Sequence, residues 1–290
     1  MGEQAFPVMS SKPMRSGRSM LVFDICAATH PGLVRQHNED HILVGRFVKN
    51  SGQLSLSISA DDDFVLASGM LLCVADGIGG VAGGELASRL TLTSLDNAFH
   101  AAAESAEQDY ESALRLAANQ ANDSVREAAA SSHRYTDMGS TLSGVCLLGE
   151  RYWVLNAGDS RVYRYRDGLL KPLSDDDTLA AQAVRSGAMT FEQAARSPDS
   201  HVLTHYVGVA DFRPAVKSGP ELRDGDSLLI CSDGLYDMVD DDTLARQLQQ
   251  FNAAGLSSAE QAGRLLALAN AAGGRDNISL IVMRVHHEPR

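Results

Sequence analysis

The order of apolar segments predicts an antiparallel α+β layer fold. Strand-like runs recur between Leu21 and Ala75 and return after Gly139, and two helical stretches lie between them. No regular strand–helix–strand alternation builds a parallel sheet.

From Leu21, LVFDICAAT reads as a strand, followed by HPGLVRQHNED and a second apolar run, HILVGRFV. Residues 49–63 mix Ser, Gly and acids and read as an irregular insertion or an extended hairpin. FVLASGMLLCVA follows as one or two strands. In 84–103, Leu92, Leu95, Phe99 and Ala102 recur at helical spacing. In 107–131, Leu114, Ala117, Ala118, Ala121, Val125 and Ala128 do so more cleanly, and small residues of this kind suit close packing on a sheet. After Gly139 the period shortens to that of strands. STLSGVCLLG, RYWVLNAG, SRVYRYR and LLKPLS, separated by turn signals, read as an antiparallel meander. Residues 178–197 read as a short, Ala-rich helical excursion on the surface, and DSLLICSD returns to strand. Asp240–Asp242 cap a helix carrying Leu244, Leu248 and Phe251. Ser257 and Glu260 form a capping-box pattern for another helix that ends at Gly273-Gly274, and ISLIVMRV is the last strand.

With 44% apolar residues and 8 prolines in 290, the chain can bury a substantial core. The net charge of −12, from 37 acidic and 25 basic residues, argues against nucleic-acid or anionic-membrane partners, which are held by Lys and Arg. Cys26, Cys73, Cys146 and Cys231 are far apart in apolar runs, as expected of buried thiols in a reducing compartment rather than of zinc or disulfide patterns. Residues 1–19 have no continuous apolar core of a signal peptide and are expected to form a flexible tail. The longest apolar stretch, Phe64 to Ala75, is too short to span a bilayer, so the expected location is cytoplasmic.

Five acidic positions fall at strand edges. Glu39 and Asp40 precede a strand, Asp76 and Asp233 follow strands in MLLCVADG and LLICSDG, and Asp276 precedes the last strand. Each has an ordinary explanation as a turn or loop residue. Gathered in one place they would need a cation, because two carboxylates about 4 Å apart repel by roughly 4 kcal/mol at an effective dielectric near 20. An all-oxygen donor set suits Mg²⁺ or Mn²⁺ rather than zinc. Gly77, lacking a side chain, could bring its carbonyl close to such an ion.

GLVRQHNED, VADGIGGVAGGELAS, DMGSTLSG, NAGDSRVYRYRDG, SDGLYD and GGRDNISLIV occur in the order and spacing of the type 2C, metal-dependent (PPM) protein Ser/Thr phosphatases. The chain resembles their compact bacterial members over roughly 22–286. The resemblance implies a four-layer α/β/β/α sandwich of two antiparallel sheets flanked by helices. It also implies a single catalytic domain over 20–287, with a flap at about 176–205. The implied activity is hydrolysis of phosphoserine and phosphothreonine through a water bridging two Mn²⁺ or Mg²⁺ ions, with a possible third, weaker ion. Asp76 would bridge the two ions. Glu39, Asp40 and the Gly77 carbonyl would serve one, and Asp233 and Asp276 the other. Asp137 matches a ligand of the third ion, Arg35 would clamp phosphate oxygens, and Asn277 would orient Asp276. Asp159 is expected to be mainly structural. Ile78 and Val81 stand where relatives carry His, which leaves a metal-bound water, or His37, to protonate the leaving group. Phosphorylated proteins and a cognate Ser/Thr kinase are the expected partners. A non-catalytic relative used as a binding module and a hydrolase of small phosphoesters are the alternatives.

Overall fold

The computed structural model describes residues 20–103 and 109–288; the tail expected over 1–19 lies outside the described residues. In chain order the strands are β1 (Met20–His30), β2 (His41–Val44), β3 (Phe47–Lys49), β4 (Gly52–Ser59), β5 (Met70–Ala75), β6 (Gly77–Ile78), β7 (Gly139–Ser140), β8 (Leu142–Leu148), β9 (Arg151–Ala157), β10 (Arg161–Arg166), β11 (Leu169–Pro172), β12 (Ala215–Ser218), β13 (Ser227–Cys231) and β14 (Ile278–Glu288). The helices are α1 (Asp63–Ser68), α2 (Gly80–Ala103), α3 (Tyr110–Ala130), α4 (Leu179–Arg185), α5 (Phe191–Ala194), α6 (Asp233–Tyr236), α7 (Asp241–Ala253) and α8 (Ser258–Ala271).

Two six-stranded antiparallel sheets stack face to face, in the orders β11-β10-β13-β14-β1-β4 and β12-β9-β8-β5-β2-β3. The expected four-layer sandwich is present. Strand alternation explains why its central strands are apolar throughout. On β5, Met70, Leu72 and Val74 enter the core between the sheets, while Leu71, Cys73 and Ala75 face the layer holding α2 and α3. On β14, Ile281, Met283 and Val285 point inward, and Ile278, Leu280 and Val282 meet the layer holding α7 and α8. Residues i and i+2 share a face, so both faces of such a strand must be apolar to be buried. The stripe Leu114, Ala117, Ala118, Ala121 and Val125 covers one sheet, and Leu244, Leu248, Phe251, Leu265 and Ala269 cover the other. All four cysteines are buried and free.

Three expectations are corrected. Residues 142–172 do not form one meander. The β8–β9 hairpin belongs to one sheet and β10–β11 to the other, and the chain crosses between them at 158–160. Phe64–Ser68 is the body of a helical turn rather than a strand, because the Asp62 carboxylate accepts the Phe64 N–H at its start. The 49–63 segment supplies β4, which pairs with β1 rather than with its neighbour β3. Asp240 and the Ser257–Glu260 box cap α7 and α8 as expected. Among the described residues, no helix is long and apolar enough to cross a membrane.

Candidate metal centre

Strands from both sheets end at one cleft of about 380 Å³, lined by Asp76, Gly77, Ile78, Thr141, Asp159, His201, Leu203, Tyr206, Asp233 and Asp276. The β5 end delivers Asp76, and two bonds to Thr141 pin the backbone there. The Asp76 N–H donates to Thr141 Oγ1 (2.9 Å), and the Thr141 N–H donates to the Asp76 carbonyl (2.8 Å). The β13 end delivers Asp233 across Ser232, whose hydroxyl donates to Asp40 Oδ2 (2.8 Å). Asp40 itself is fully buried at the start of β2 and faces the Asp76 carboxyl.

Asn277 draws the remaining pieces together. Its Oδ1 accepts the Glu39 N–H (2.8 Å), and its Nδ2 donates to the carbonyls of Pro31 (3.1 Å) and His37 (2.9 Å). Its own N–H donates to Asp276 Oδ1 (2.8 Å). The Asn277 side chain thus ties the 30–39 loop together, while its backbone N–H holds the Asp276 carboxylate. Arg35, half exposed on that loop, donates to Asp276 Oδ2 at 2.7 Å.

Two glycines shape the floor by admitting close approach. A Cβ on Gly84 would stand 1.9 Å from Glu39 Oε2 and 2.8 Å from the Gly77 carbonyl oxygen, so α2 can lie against both only without a side chain there. Gly234 looks like a turn glycine in the sequence. In the structure it lies in α6, where a Cβ would fall 1.9 Å from the Asn277 carbonyl oxygen; it is glycine to let α6 meet the β14 loop.

The electrostatics are those of buried, mutually repelling acids. Burial, followed by repulsion from Asp40, Asp233, Asp159 and Asp276, pushes Asp76 well above the usual carboxylate range. Burial and the neighbouring Asp159, Asp237 and Asp276 do the same to Asp233. Burial raises Asp40 to about 6, against the hydroxyls of Ser279 and Ser232 that favour its charged form. It also raises Glu39, where Arg35 pulls the other way. Asp40 Oδ1 and Asp233 Oδ1 are enclosed and have no hydrogen-bond donor among the described residues. Buried carboxylate oxygens without donors, with a glycine carbonyl beside them, fit hard divalent cations.

Of the sequence-predicted residues, Asp76, Gly77, Asp233 and Asp276 line the cleft. Asp40, Glu39 and Asn277 support it from behind, and Arg35 stands at its rim. Asp137 is exposed and is not among the lining residues; its carbonyl oxygen lies by Gly79. Asp159, expected to be mainly structural, lies in the cleft wall, and burial raises it to about 6. Thr141, Ser232 and His201 were not singled out. Thr141 sits in the DMGST motif and Ser232 directly precedes Asp233, but His201 carries no local signal.

A four-layer sandwich with carboxylates converging where its two sheets end defines the architecture of the metal-dependent phosphatases, and comparison with known proteins agrees. The profile of the family described as Protein phosphatase 2C matches residues 55–270, and the chain belongs to that family. The Ser/Thr protein phosphatase PstP of Mycobacterium tuberculosis is 32% identical over 268 residues, covering 92% of this chain and 46% of that protein. The Ser/Thr phosphatase stp of Listeria monocytogenes is 27% identical over 256 residues, covering 88% of this chain and 93% of that one. A crystal structure of the PstP catalytic domain with two manganese ions superposes with a TM-score of 0.73 at 31% identity, covering 92% and 99% of the two chains. The chain thus spans about half the length of the mycobacterial relative and nearly all of the listerial one.

Proposed function

We propose that residues 20–287 form one catalytic unit, a metal-dependent protein Ser/Thr phosphatase acting on phosphoserine and phosphothreonine. Its partners would be phosphorylated proteins and a cognate Ser/Thr kinase, in the cytoplasm. The observation that carries this reading is the pair of donorless oxygens, Asp40 Oδ1 and Asp233 Oδ1, in a cluster with Asp76 on the scaffold of this family.

Asp76, Asp40, Glu39 and the Gly77 carbonyl would hold one Mn²⁺ or Mg²⁺, and Asp76, Asp233 and Asp276 a second; Asp137 is the family-matched donor to a third, weaker ion. When bound, such cations lower the pKa of a water and neutralise charge on a phosphoryl group. Thr141 fixes the backbone of Asp76, so the carboxylate shared by both sites does not drift. Asn277 keeps Asp276 and the Glu39 backbone in register. Arg35 carries a planar fork of donors at the rim, where it would take phosphoryl oxygens as Asp276 turns to a cation. Ile78 lines the cleft without a titratable group.

Purified protein with Mn²⁺ or with EDTA, offered p-nitrophenyl phosphate and a phosphothreonine peptide, tests the reading. Mn²⁺-dependent release of phosphate from both is expected. Turnover of the small ester alone would point to a small-phosphoester hydrolase, and turnover of neither to a binding module.

A further inference from the structure

The chain between Thr178 and Leu203 leaves the sandwich, forms α4 and α5, and returns to the cleft. Its two ends are joined. Thr178 and Leu203 form a β-bridge, the Leu179 N–H donates to the Val202 carbonyl (2.9 Å), and the Thr204 N–H donates to the Asp177 carbonyl (2.7 Å). The same base is strapped to the turn that carries Asp159. The Asp177 N–H donates to the Gly158 carbonyl (3.0 Å), and the Gly158 N–H donates to Asp177 Oδ2 (3.2 Å).

The last turn of the excursion, Pro198–His201, sets His201 at the cleft, with Nδ1 3.6 Å from Asp237 Oδ2. There, one ligand atom each from Asp159, His201 and Asp233 lie within 4.8 Å of one another. His201 is half exposed, and the two acids beside it are withdrawn from solvent to different degrees. Asp159 is 5% exposed, and its own backbone N–H favours its charged form against the cost of burial. Asp233 Oδ1 is enclosed and has no donor among the described residues. Two carboxylates, one of them with an enclosed oxygen that has no donor among the described residues, and a half-exposed imidazole at ligand spacing form a donor set of mixed nitrogen and oxygen.

We infer that Asp159, His201 and Asp233 form a divalent-cation site that, when filled, fastens the 178–203 segment to the floor of the cleft. Its imidazole favours Mn²⁺, Fe²⁺ or Zn²⁺ over Mg²⁺, in contrast to the all-oxygen set around Asp76. Asp237 Oδ2, 3.6 Å from His201 Nδ1, adds negative charge beside the ring. The site draws on the phosphatase reading only through Asp233, which that reading gives to a catalytic cation. Filling it ties the position of a surface segment to the concentration of a transition-metal ion.

Pulsed EPR of the full chain titrated with Mn²⁺ alone tests this, because a coordinated imidazole imprints ¹⁴N coupling on the ion. Wild type is expected to show that coupling, and His201→Gln to lose it while binding one ion fewer, or that ion at least about tenfold more weakly, the scale on which even an outer partner acts. Trypsin gives a second readout, since Arg185 and Arg196 are exposed within the segment. Mn²⁺ should slow cleavage there in wild type and not in His201→Gln. Bound Mn²⁺ without nitrogen coupling, or equal protection of both proteins, overturns this inference and leaves the catalytic reading standing. Failure of wild type to bind Mn²⁺ at all overturns both.

Discussion

Strand β13 has an aspartate beyond each end, and the two have opposite surroundings. Asp226, just before the strand, is buried and fully answered. The Arg166 guanidinium donates to both of its oxygens at 2.6 Å, and the Arg223 N–H adds a third bond at 2.8 Å. Asp233, two residues past the other end, has Asp159, Asp237, Asp276 and Asp40 for neighbours and an oxygen that nothing donates to. One carboxylate is neutralised within the protein; the other, under the proposed function, is left for a bound cation. A buried acid is therefore informative only through its partners: a matched cation marks structure, and its absence marks a site.

The largest expected effect lies at the unanswered end. Asp76→Asn should lower Mn²⁺-dependent phosphate release by about three orders of magnitude or more while the circular dichroism spectrum stays native. Retained turnover would break the comparison at its functional end. At the answered end, Arg166→Ala leaves Asp226 charged and buried, and should cost about 3–5 kcal/mol in denaturant unfolding. Turnover per folded molecule should hardly change. A loss below 1 kcal/mol would show that the pair is not what holds that end.

The pH dependence of stability sharpens the contrast. An acid whose pKa is raised in the native state binds its proton more tightly there than when unfolded. Stability from that group is therefore full at low pH and falls as pH climbs from the unfolded value near 4 to the folded one. For Asp40 and Asp159 the folded value is about 6 in each case. Protein stripped with EDTA should thus lose on the order of 2–3 kcal/mol for Asp40 between pH 4 and 6. Asp40→Asn should flatten that part of the profile, and an unchanged slope would remove Asp40 from the cluster. The smallest effect is expected at the rim. Arg35→Ala gives up charge-assisted bonds to phosphate made in ground and transition states alike, so KM should rise about tenfold with kcat little altered. A fall in kcat alone would require a different role for Arg35.

How much of this could be read in advance follows from what sequence patterns encode. MLLCVADG and LLICSDG each announce a buried strand ending in an acid, and both acids reach the cleft. Alternation specifies which face a residue takes but not which strand it lies beside, so the transfer of β10 and β11 to the other sheet was hidden. The short run FVLAS holds too few residues to show a period, and only the capping Asp62 distinguished helix from strand. Asp159 and Asp233 are 74 positions apart, and His201 sits on an excursion with no motif of its own. Their proximity depends on the 158–160 crossover and on the bonds that bring the 178–203 segment back. Gly234 shows the same limit, since a glycine required by a distant carbonyl looks like a turn glycine.

The central claim is that the acids at the ends of β5 and β13 form a site completed by divalent cations. Thermal unfolding at pH 7 with and without Mn²⁺, in wild type and in Asp76→Asn, tests it most directly. Mn²⁺ should raise the wild-type midpoint by several degrees, because cations bound only by the native state stabilise it, and should raise that of Asp76→Asn far less. Equal shifts in the two proteins, or none in wild type, would contradict the account.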